Sequence, residues 1–255
     1  MDHHLPAPTD GAHPALSALT HPDKDVRQQG AIALGQLADP RLAPRIADLL
    51  WQESDVFVRE TLTWVLTRTP AAATKEAAAQ LHNPDAEIRL QALHLLSKVA
   101  DPGSVAVVAQ HIDDPDPAVA DKARWALARI KDPSVIPLLV DRLGATELTV
   151  RDGITATLSQ FGAPAVPTVA AALEHQAATV RSHAADVLCF IGAPAAHEAT
   201  PALTNRLDDD HPDVRLAATL ALRELTDHPP ARATLHQASI NHHDARVRAI
   251  ARASI

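Results

Sequence analysis

The stretch from Ala100 to Ile130 is ADPGSVAVVAQHIDDPDPAVADKARWALARI, and its pattern predicts two antiparallel helices. Asp101-Pro102 supplies a helix N-cap followed by a proline at the first helical position, where the missing N–H group costs nothing. Residues 114–117 interrupt this helix, because each proline disfavours helical geometry in the residue before it. The second helix carries one apolar stripe, formed by Val119, Ala123, Ala126, Leu127 and Ile130.

The same helical hairpin recurs along the chain, marked by a Val-Arg or Ile-Arg dipeptide in its second helix. The dipeptide occurs at Val26-Arg27, Val58-Arg59, Ile88-Arg89, Val150-Arg151, Val180-Arg181, Val214-Arg215 and Val247-Arg248. Val119-Ala120 takes its place in the fourth unit. The aliphatic residue of each pair is called the marker below. Successive markers are 30 to 34 residues apart, a period typical of stacked helical repeats. Eight repeats are therefore predicted.

Residues 14–255 are predicted to form a single repeat array, with residues 1–13 as a flexible N-terminal segment or partial cap. The prolines between hairpins place the repeat boundaries near residues 40, 70, 102, 133, 163, 193 and 228. An aliphatic residue stands eight positions after every marker, which predicts a buried row. The row consists of Leu34, Leu66, Leu96, Leu127, Leu158, Leu188, Leu222 and Ile255.

The frame Asp-x-x-Val-Arg-x-x-Ala, together with the Asp-Pro junctions, resembles the HEAT repeat family, specifically its short bacterial branch of phycobilisome-lyase-type repeats. The resemblance covers residues 14–255. It implies an all-α fold, a right-handed α-solenoid (superhelix) of about eight two-helix repeats. Similar repeats serve scaffolds, chromophore lyases, metal-dependent hydroxylases and DNA glycosylases, so the resemblance leaves the function open.

Composition and charge narrow the classes of function. The formal net charge is −8, which argues against a nucleic-acid partner because phosphate contacts need a basic surface. The single cysteine, Cys189, rules out an internal disulfide and favours a reducing compartment. No secretory signal and no stretch of roughly 20 apolar residues is found, so a cytoplasmic protein without a membrane partner is expected. The preference for Arg over Lys, 18 against 5, is typical of a GC-rich bacterial genome.

The arginine after each marker is interpreted first as structural. In repeats of this type it pairs with an acidic or polar group at the inter-helix turn of a neighbouring repeat. Glu53, Asn83, Asp114 and Asp209, each five residues before a marker, are the expected acceptors. The fourth repeat has Ala120 instead of arginine, and whether Lys122 or Arg124 compensates stays open at this point.

A binding surface is predicted on the second helices, which line the concave side of such arrays. Positions two, six and nine after the marker point away from the first helices, toward that concavity. They place aromatic rings beside carboxylates, an arrangement suited to a cationic ligand or an Arg- or Lys-bearing peptide. The predicted groove residues are Glu60, Trp64, His94, Asp121, Trp125, Asp152 and Asp186. In the alternative interpretation, the tryptophans only cover the seams between repeats.

Histidine clusters offer weaker hypotheses. His183, Asp186 and Cys189 share one helix face at three-residue spacing, but one straight helix rarely brings three ligands to a single ion. A structural role is favoured for them. Several histidines fall at inter-helix turns, namely His21, His82, His175, His211 and His242. Solvated turn residues are expected there, with a pH-sensing role as the alternative.

A non-catalytic scaffold that binds a protein segment is the favoured function, without catalytic residue, cofactor or metal. The alternative is an enzyme or small-molecule handler of the lyase, hydroxylase or glycosylase type. The hydroxylases use several His-Glu pairs, whereas His197-Glu198 is the only such dipeptide here. A homodimer through the C-terminal repeat is also predicted, because Ile250 and Ile255 have no following repeat to cover them.

Overall fold

A computed structural model describes residues 14–255, in which every regular element is helical. The predicted N-terminal segment, residues 1–13, lies outside the described residues. Within the described range the chain forms two compact units, one ending at Ile130 and the other beginning at Lys131. No helix in residues 14–255 is both long enough and apolar enough to cross a lipid bilayer.

The first unit contains four helical hairpins. Their helices are α1 (Pro14–Ala18), α2 (Lys24–Leu37), α3 (Ala43–Gln52), α4 (Val56–Thr67), α5 (Pro70–Gln80), α6 (Ala86–Val99), α7 (Val105–Ala109) and α8 (Pro117–Ile130). The second helices of the hairpins pack on one another in the order α2, α4, α6, α8. The side chains that follow each marker are therefore brought into neighbouring positions on adjacent helices.

The second unit contains the other four hairpins. Their helices are α9 (Ile136–Val140), α10 (Leu148–Phe161), α11 (Val166–Ala172), α12 (Ala178–Ile191), α13 (Thr200–Asn205), α14 (Pro212–Arg223), α15 (Pro229–Asn241) and α16 (Ala245–Ala253). Here α10, α12, α14 and α16 pack in succession. The all-α architecture predicted from the sequence is confirmed.

Short polar signals set the start of the helices. The carboxylates of Asp55 and Asp85 accept hydrogen bonds from backbone N–H groups in the first turn of α4 and α6. His211 takes the same position before α14, and its Nδ1 accepts the N–H of Asp213. Asp101 caps a 3₁₀ turn, Pro102–Ser104, before α7 begins. First helices that follow Asp-Pro therefore start with a tight turn rather than directly as α-helix.

The row eight positions after the marker forms the core. From Leu34 to Leu222, all seven leucines of the row have an exposed fraction of 1% or less. Ile255 is the exception, because α16 ends at Ala253 and leaves 53% of this residue exposed. The prediction of a buried row is thus correct for seven repeats and wrong for Ile255.

Marker arginines link adjacent hairpins by ion pairs. Arg27 pairs with Glu53, Arg89 with Asp114 and Arg181 with Asp209, each with a closest N···O distance of 2.7 Å. The same guanidinium groups donate to backbone carbonyls of their own inter-helix turn, such as those of His21, Asn83 and His175. Each arginine therefore stabilises its own inter-helix turn by hydrogen bonds and links it to the turn of the next hairpin by an ion pair.

The Asp114 carboxyl shows how strongly this link is held. Burial alone would raise the pKa of Asp114, but hydrogen bonds from Arg89, from the backbone N–H of Asp116 and from His111 lower it to about 2. The carboxylate is therefore ionised throughout the neutral range and remains a permanent partner of Arg89.

Two expected links are formed differently. Asn83 carries no charge, and its amide oxygen accepts the N–H of Asp85, whereas Arg59 donates to the carbonyl of Glu53 in its own turn. Arg215 of the seventh repeat pairs with Asp244 at 2.8 Å, since His242 stands five residues before the last marker, where the second, fourth and seventh repeats have a carboxylate. Asp244 was not among the predicted acceptors.

Candidate functional site

Two tryptophans are half-exposed at equivalent positions of α4 and α8. Trp64 is 44% exposed and Trp125 is 37% exposed, and His94 stands at the equivalent position of α6, which lies between them in the packing order. Glu60 and Asp121, one helical turn earlier on α4 and α8, are exposed as well. These five residues, Glu60, Trp64, His94, Asp121 and Trp125, are called the tryptophan face below.

The indole of Trp64 packs over Gly35 of α2. A Cβ atom at Gly35 would lie 2.2 Å from Cζ3 and 2.7 Å from Cη2 of Trp64, far closer than atoms can approach. Only glycine leaves space for the ring at this distance. Gly35 therefore lets one edge of the indole pack directly on α2, while the rest of the ring remains exposed.

His94 connects the two ends of the tryptophan face. Its Nε2 lies 2.8 Å from Oε1 of Glu60, but the two groups are not aligned for a hydrogen bond. Its ring is nearly parallel to that of Trp125, with centroids 6.4 Å apart and an angle of 7° between the planes. Burial lowers the pKa of His94 below 6.5 and outweighs the opposing effect of Glu60. The surroundings therefore favour the neutral imidazole.

Trp125 already has a cation against its ring. The Nζ atom of Lys122 lies 4.4 Å from the ring centroid, within the range of a cation–π interaction. Burial lowers the pKa of Lys122, and the neighbouring charge of Lys98 acts in the same direction. The surroundings of Trp125 are thus mixed in charge, whereas the sequence predicted only carboxylates beside the aromatic rings.

Arg124, and not Lys122, compensates for the missing marker arginine of the fourth repeat. Its side chain is buried, and its guanidinium donates to the carbonyl of Ile112 and to Asp121. Arg124 therefore supplies the turn-closing hydrogen bond that Ala120 cannot make, and Lys122 is left to contact Trp125. Asp121 keeps 57% of its side chain exposed despite this ion pair.

The two remaining predicted site residues belong to the second unit. Asp152 is exposed on α10. Asp186 on α12 accepts a hydrogen bond from Arg151, the marker arginine of the fifth repeat. Burial raises the pKa of Asp186, although Arg151 opposes this shift. Asp186 therefore accepts the ion pair of the marker arginine that links adjacent hairpins. His175 occupies the usual acceptor position, and its Nδ1 accepts the N–H of Ala177.

Comparison with known families decides what this repeat is. A model of HEAT repeats matches residues 12–81, 74–159, 147–223 and 166–255, which together cover nearly the whole chain. The chain belongs to the HEAT repeat family. No curated protein matches the sequence.

Several solved structures are similar to this HEAT repeat chain at 19% identity. An engineered protein from the Northeast Structural Genomics Consortium aligns over 93% of this chain and 75% of its own, with a TM-score of 0.42. Human deoxyhypusine hydroxylase in complex with glycerol aligns over 94% and 93%, with a TM-score of 0.40. The MAST/Orbit N-terminal domain aligns over 70% and 94%, with a TM-score of 0.49.

The possible metal ligands of the sixth HEAT repeat have structural partners. His183 is fully buried, its Nδ1 accepts the N–H of Gly144 at 2.9 Å, and its Nε2 lies 2.9 Å from Oγ1 of Thr155. Burial and, second, the charge of Arg151 lower the pKa of His183 to about 4. Burial raises the pKa of the Cys189 thiol. Both imidazole nitrogens are thus in use, which favours the structural interpretation.

The His-Glu dipeptide of the seventh HEAT repeat is also engaged locally. Nε2 of His197 lies 3.0 Å from Oδ1 of Asp227, and its ring stacks on that of His228 with centroids 4.5 Å apart. These contacts connect the start of the seventh hairpin with the turn before α15. They give His197 a role in packing.

Replacing Gly35 with alanine is expected to displace the indole of Trp64. The new methyl group would overlap the ring, and overpacking of this kind costs about 1–3 kcal/mol, more than the ~1 kcal/mol that alanine gains in helix propensity. The measurement is the shift of the Trp64 indole N–H resonance, together with urea denaturation. Gly103→Ala is the control, because its Cβ would meet only the carboxylate of Asp101 at 3.3 Å. An unshifted Trp64 resonance in Gly35→Ala would contradict the packing described here.

Proposed function

We propose that this HEAT repeat protein is a non-catalytic scaffold that binds a protein segment bearing basic groups on the tryptophan face. The observation that carries the proposal is the pair of half-exposed tryptophans at equivalent positions of α4 and α8. Tryptophan is the residue most enriched at the energetic centres of protein interfaces. Aromatic residues are otherwise scarce in this chain, which has three Trp, three Phe and no Tyr.

The chemistry of the face supports a cationic partner. Lys122 beside Trp125 is an internal example of a cation held against this ring, so a partner's Arg or Lys finds the same kind of contact at the exposed indole surface. Glu60 and Asp121 each keep more than half of their side chains exposed and can accept further hydrogen bonds.

Within the second unit, Asp152 and Asp186 are proposed to bind basic groups of a partner as well. The excess of acidic side chains over basic ones, 31 against 23, favours basic partners over nucleic acid for the whole chain.

We further infer that the protein is of the bacterial phycobilisome-lyase-type branch and acts in the cytoplasm, as its motif frame and its single cysteine suggest. A homodimer through the C-terminal repeat is also proposed; the exposure of Ile255 and of Ile240 supports it, whereas Ile250 is only partly exposed.

Binding can be tested with peptides selected from a displayed random library against the intact protein. We expect enriched peptides to carry Arg or Lys, and Trp64→Ala and Trp125→Ala each to weaken their binding by about tenfold or more, as for interface hot spots. Glu60→Gln and Asp121→Asn should have smaller effects and should reduce the dependence of affinity on salt, since these carboxylates attract charge across solvent.

The matched control is Phe190→Ala, which removes an exposed aromatic ring from α12 in the second unit. This variant should bind the selected peptides like the wild type. Circular dichroism and urea denaturation establish that each variant is folded. A library that yields only peptides indifferent to both tryptophans would contradict the proposal.

A further inference from the structure

A histidine-carboxylate cluster lies where the turns of the seventh and eighth repeats meet. Asp208 ends the 3₁₀ turn Arg206–Asp208, and His242 and His243 follow directly after α15. Among residues 14–255 these three form the one group of potential metal ligands whose donor atoms all lie within 4.8 Å of one another. The cluster is distinct from the tryptophan face, which belongs to the first unit.

We propose that Asp208, His242 and His243 bind a divalent transition-metal ion, with Zn²⁺ as the best match. The distance from Oδ1 of Asp208 is 3.5 Å to Nε2 of His242 and 3.9 Å to Nδ1 of His243. Donor atoms about 2.0–2.2 Å from a tetrahedral zinc ion are about 3.3 Å apart. The two measured separations therefore need only small side-chain movements to reach this geometry.

The donor set fits zinc in kind as well as in spacing. Two imidazole nitrogens favour zinc over calcium or magnesium, which prefer oxygen ligands, and zinc also accepts the one carboxylate. His242 is almost buried, with 6% of its side chain exposed, and provides a fixed ligand. Asp208 and His243 are 81% and 64% exposed, so they can adjust their rotamers around the ion.

The surroundings leave a coordination position open. Asp208 and His242 both line a cleft of about 530 Å³ between the seventh and eighth hairpins, whose wall includes Thr204, Thr234 and Asn241. A water molecule or an external ligand can reach the ion from this cleft. Three protein ligands with one open position are typical of accessible zinc sites.

Binding requires both hydrogen bonds of the His242 ring to be given up. Nε2 of His242 lies 2.8 Å from the carbonyl oxygen of Leu207, and its Nδ1 accepts the N–H of Asp244 at 3.0 Å, so the ring proton is on Nε2. Coordination through Nε2 displaces the bond to Leu207 and moves the proton to Nδ1, which then cannot accept the N–H of Asp244. Losing both bonds weakens the site by roughly 30-fold, so a micromolar rather than a nanomolar affinity is expected.

The test is a zinc titration of the full chain in competition with a chromophoric chelator. His3, His4 and His13 lie outside the described residues, so the titration uses a His3→Ala, His4→Ala, His13→Ala background that removes their contribution. In that background we expect one equivalent of zinc to bind. His243→Ala and Asp208→Asn should each weaken binding by at least about tenfold, as loss of a metal contact does.

His236→Ala is the matched control, because His236 is an exposed histidine on α15 outside the cluster. It should leave zinc affinity unchanged, and thermal unfolding should show zinc stabilising this control but not His243→Ala. The proposal is overturned if the background variant binds no zinc tighter than about 0.1 mM. It is equally overturned if His236→Ala lowers the affinity as much as His243→Ala does.

Discussion

Replacing His183 with leucine is expected to lower the free energy of unfolding by about 2–4 kcal/mol at pH 7. The imidazole is fully buried and satisfies the N–H of Gly144 and the hydroxyl of Thr155. Leucine has similar bulk but no polar atom, so both groups lose their partner inside the second unit. A buried donor or acceptor without a partner costs about 1–3 kcal/mol. Urea denaturation measures the difference.

A second substitution separates the polar contribution from packing. In the His183→Leu background, Thr155→Val removes the stranded hydroxyl and should recover part of the lost stability, because removing both partners of a hydrogen bond costs less than removing one. His236→Leu is the control, since His236 is exposed and should change stability by no more than about 0.5 kcal/mol. Equal stability of His183→Leu and the wild type would show that the bridge is not formed.

The same histidine makes stability depend on pH in a defined direction. Burial lowers its pKa from 6.5 to about 4 in the folded chain, so between these values the unfolded chain binds a proton that the folded chain does not. Stability is therefore full above pH 6.5 and falls as the pH drops toward 4, by up to about 3 kcal/mol. Subtracting the pH profile of His183→Leu from that of the wild type isolates this contribution.

Replacing Leu127 with alanine is expected to lower the free energy of unfolding by about 2–5 kcal/mol, the range for truncation of a buried leucine. Leu127 has no exposed surface and belongs to the row eight positions after the marker. The loss comprises the transfer free energy of the deleted methyl groups and the cavity that they leave. The same result is expected at Leu96 and Leu158, because the repeat places them in equivalent surroundings.

Ile255→Ala is the matched control for this row. Ile255 has the same position in the sequence period but is 53% exposed, and its truncation should change stability by less than about 0.5 kcal/mol. A large effect at Ile255, or a small effect at Leu127, would mean that the row does not form the core as described.

The helical hairpins could be predicted from the sequence because their signals are local and repeated. Capping residues such as Asp55 and Asp85 act within their own first turn, and the leucine row follows from helical spacing alone. Ile255 was mispredicted because it lies beyond Ala253, where α16 ends, and the period alone does not show where a helix ends. The role of Arg124 in place of a marker arginine at position 120 could not be predicted from the sequence. Arg124 donates to the carbonyl of Ile112 across the inter-helix turn, a contact that depends on the three-dimensional arrangement.

The exposure of Trp64 and Trp125 followed from their place in the repeat, but their contacts did not. Gly35 was missed, although a sequence signal exists: the position nine residues after the marker is small in six repeats, as Gly35, Thr67, Ser97, Ala128, Ser159 and Cys189. The cation beside Trp125 was missed because Lys122 was considered only as a substitute for the marker arginine. The cluster of Asp208 with His242 and His243 joins two repeats, so spacing along one helix could not indicate it.

The central claim is that Trp64 and Trp125 together contact a partner. The most direct measurement follows the three indole N–H resonances by NMR while a peptide selected as described above is added to the intact protein. We predict that the resonances of Trp64 and Trp125 shift with the same saturation curve. Trp51, on the first helix of its hairpin, should stay in place. A peptide that binds while shifting neither Trp64 nor Trp125 would contradict the account.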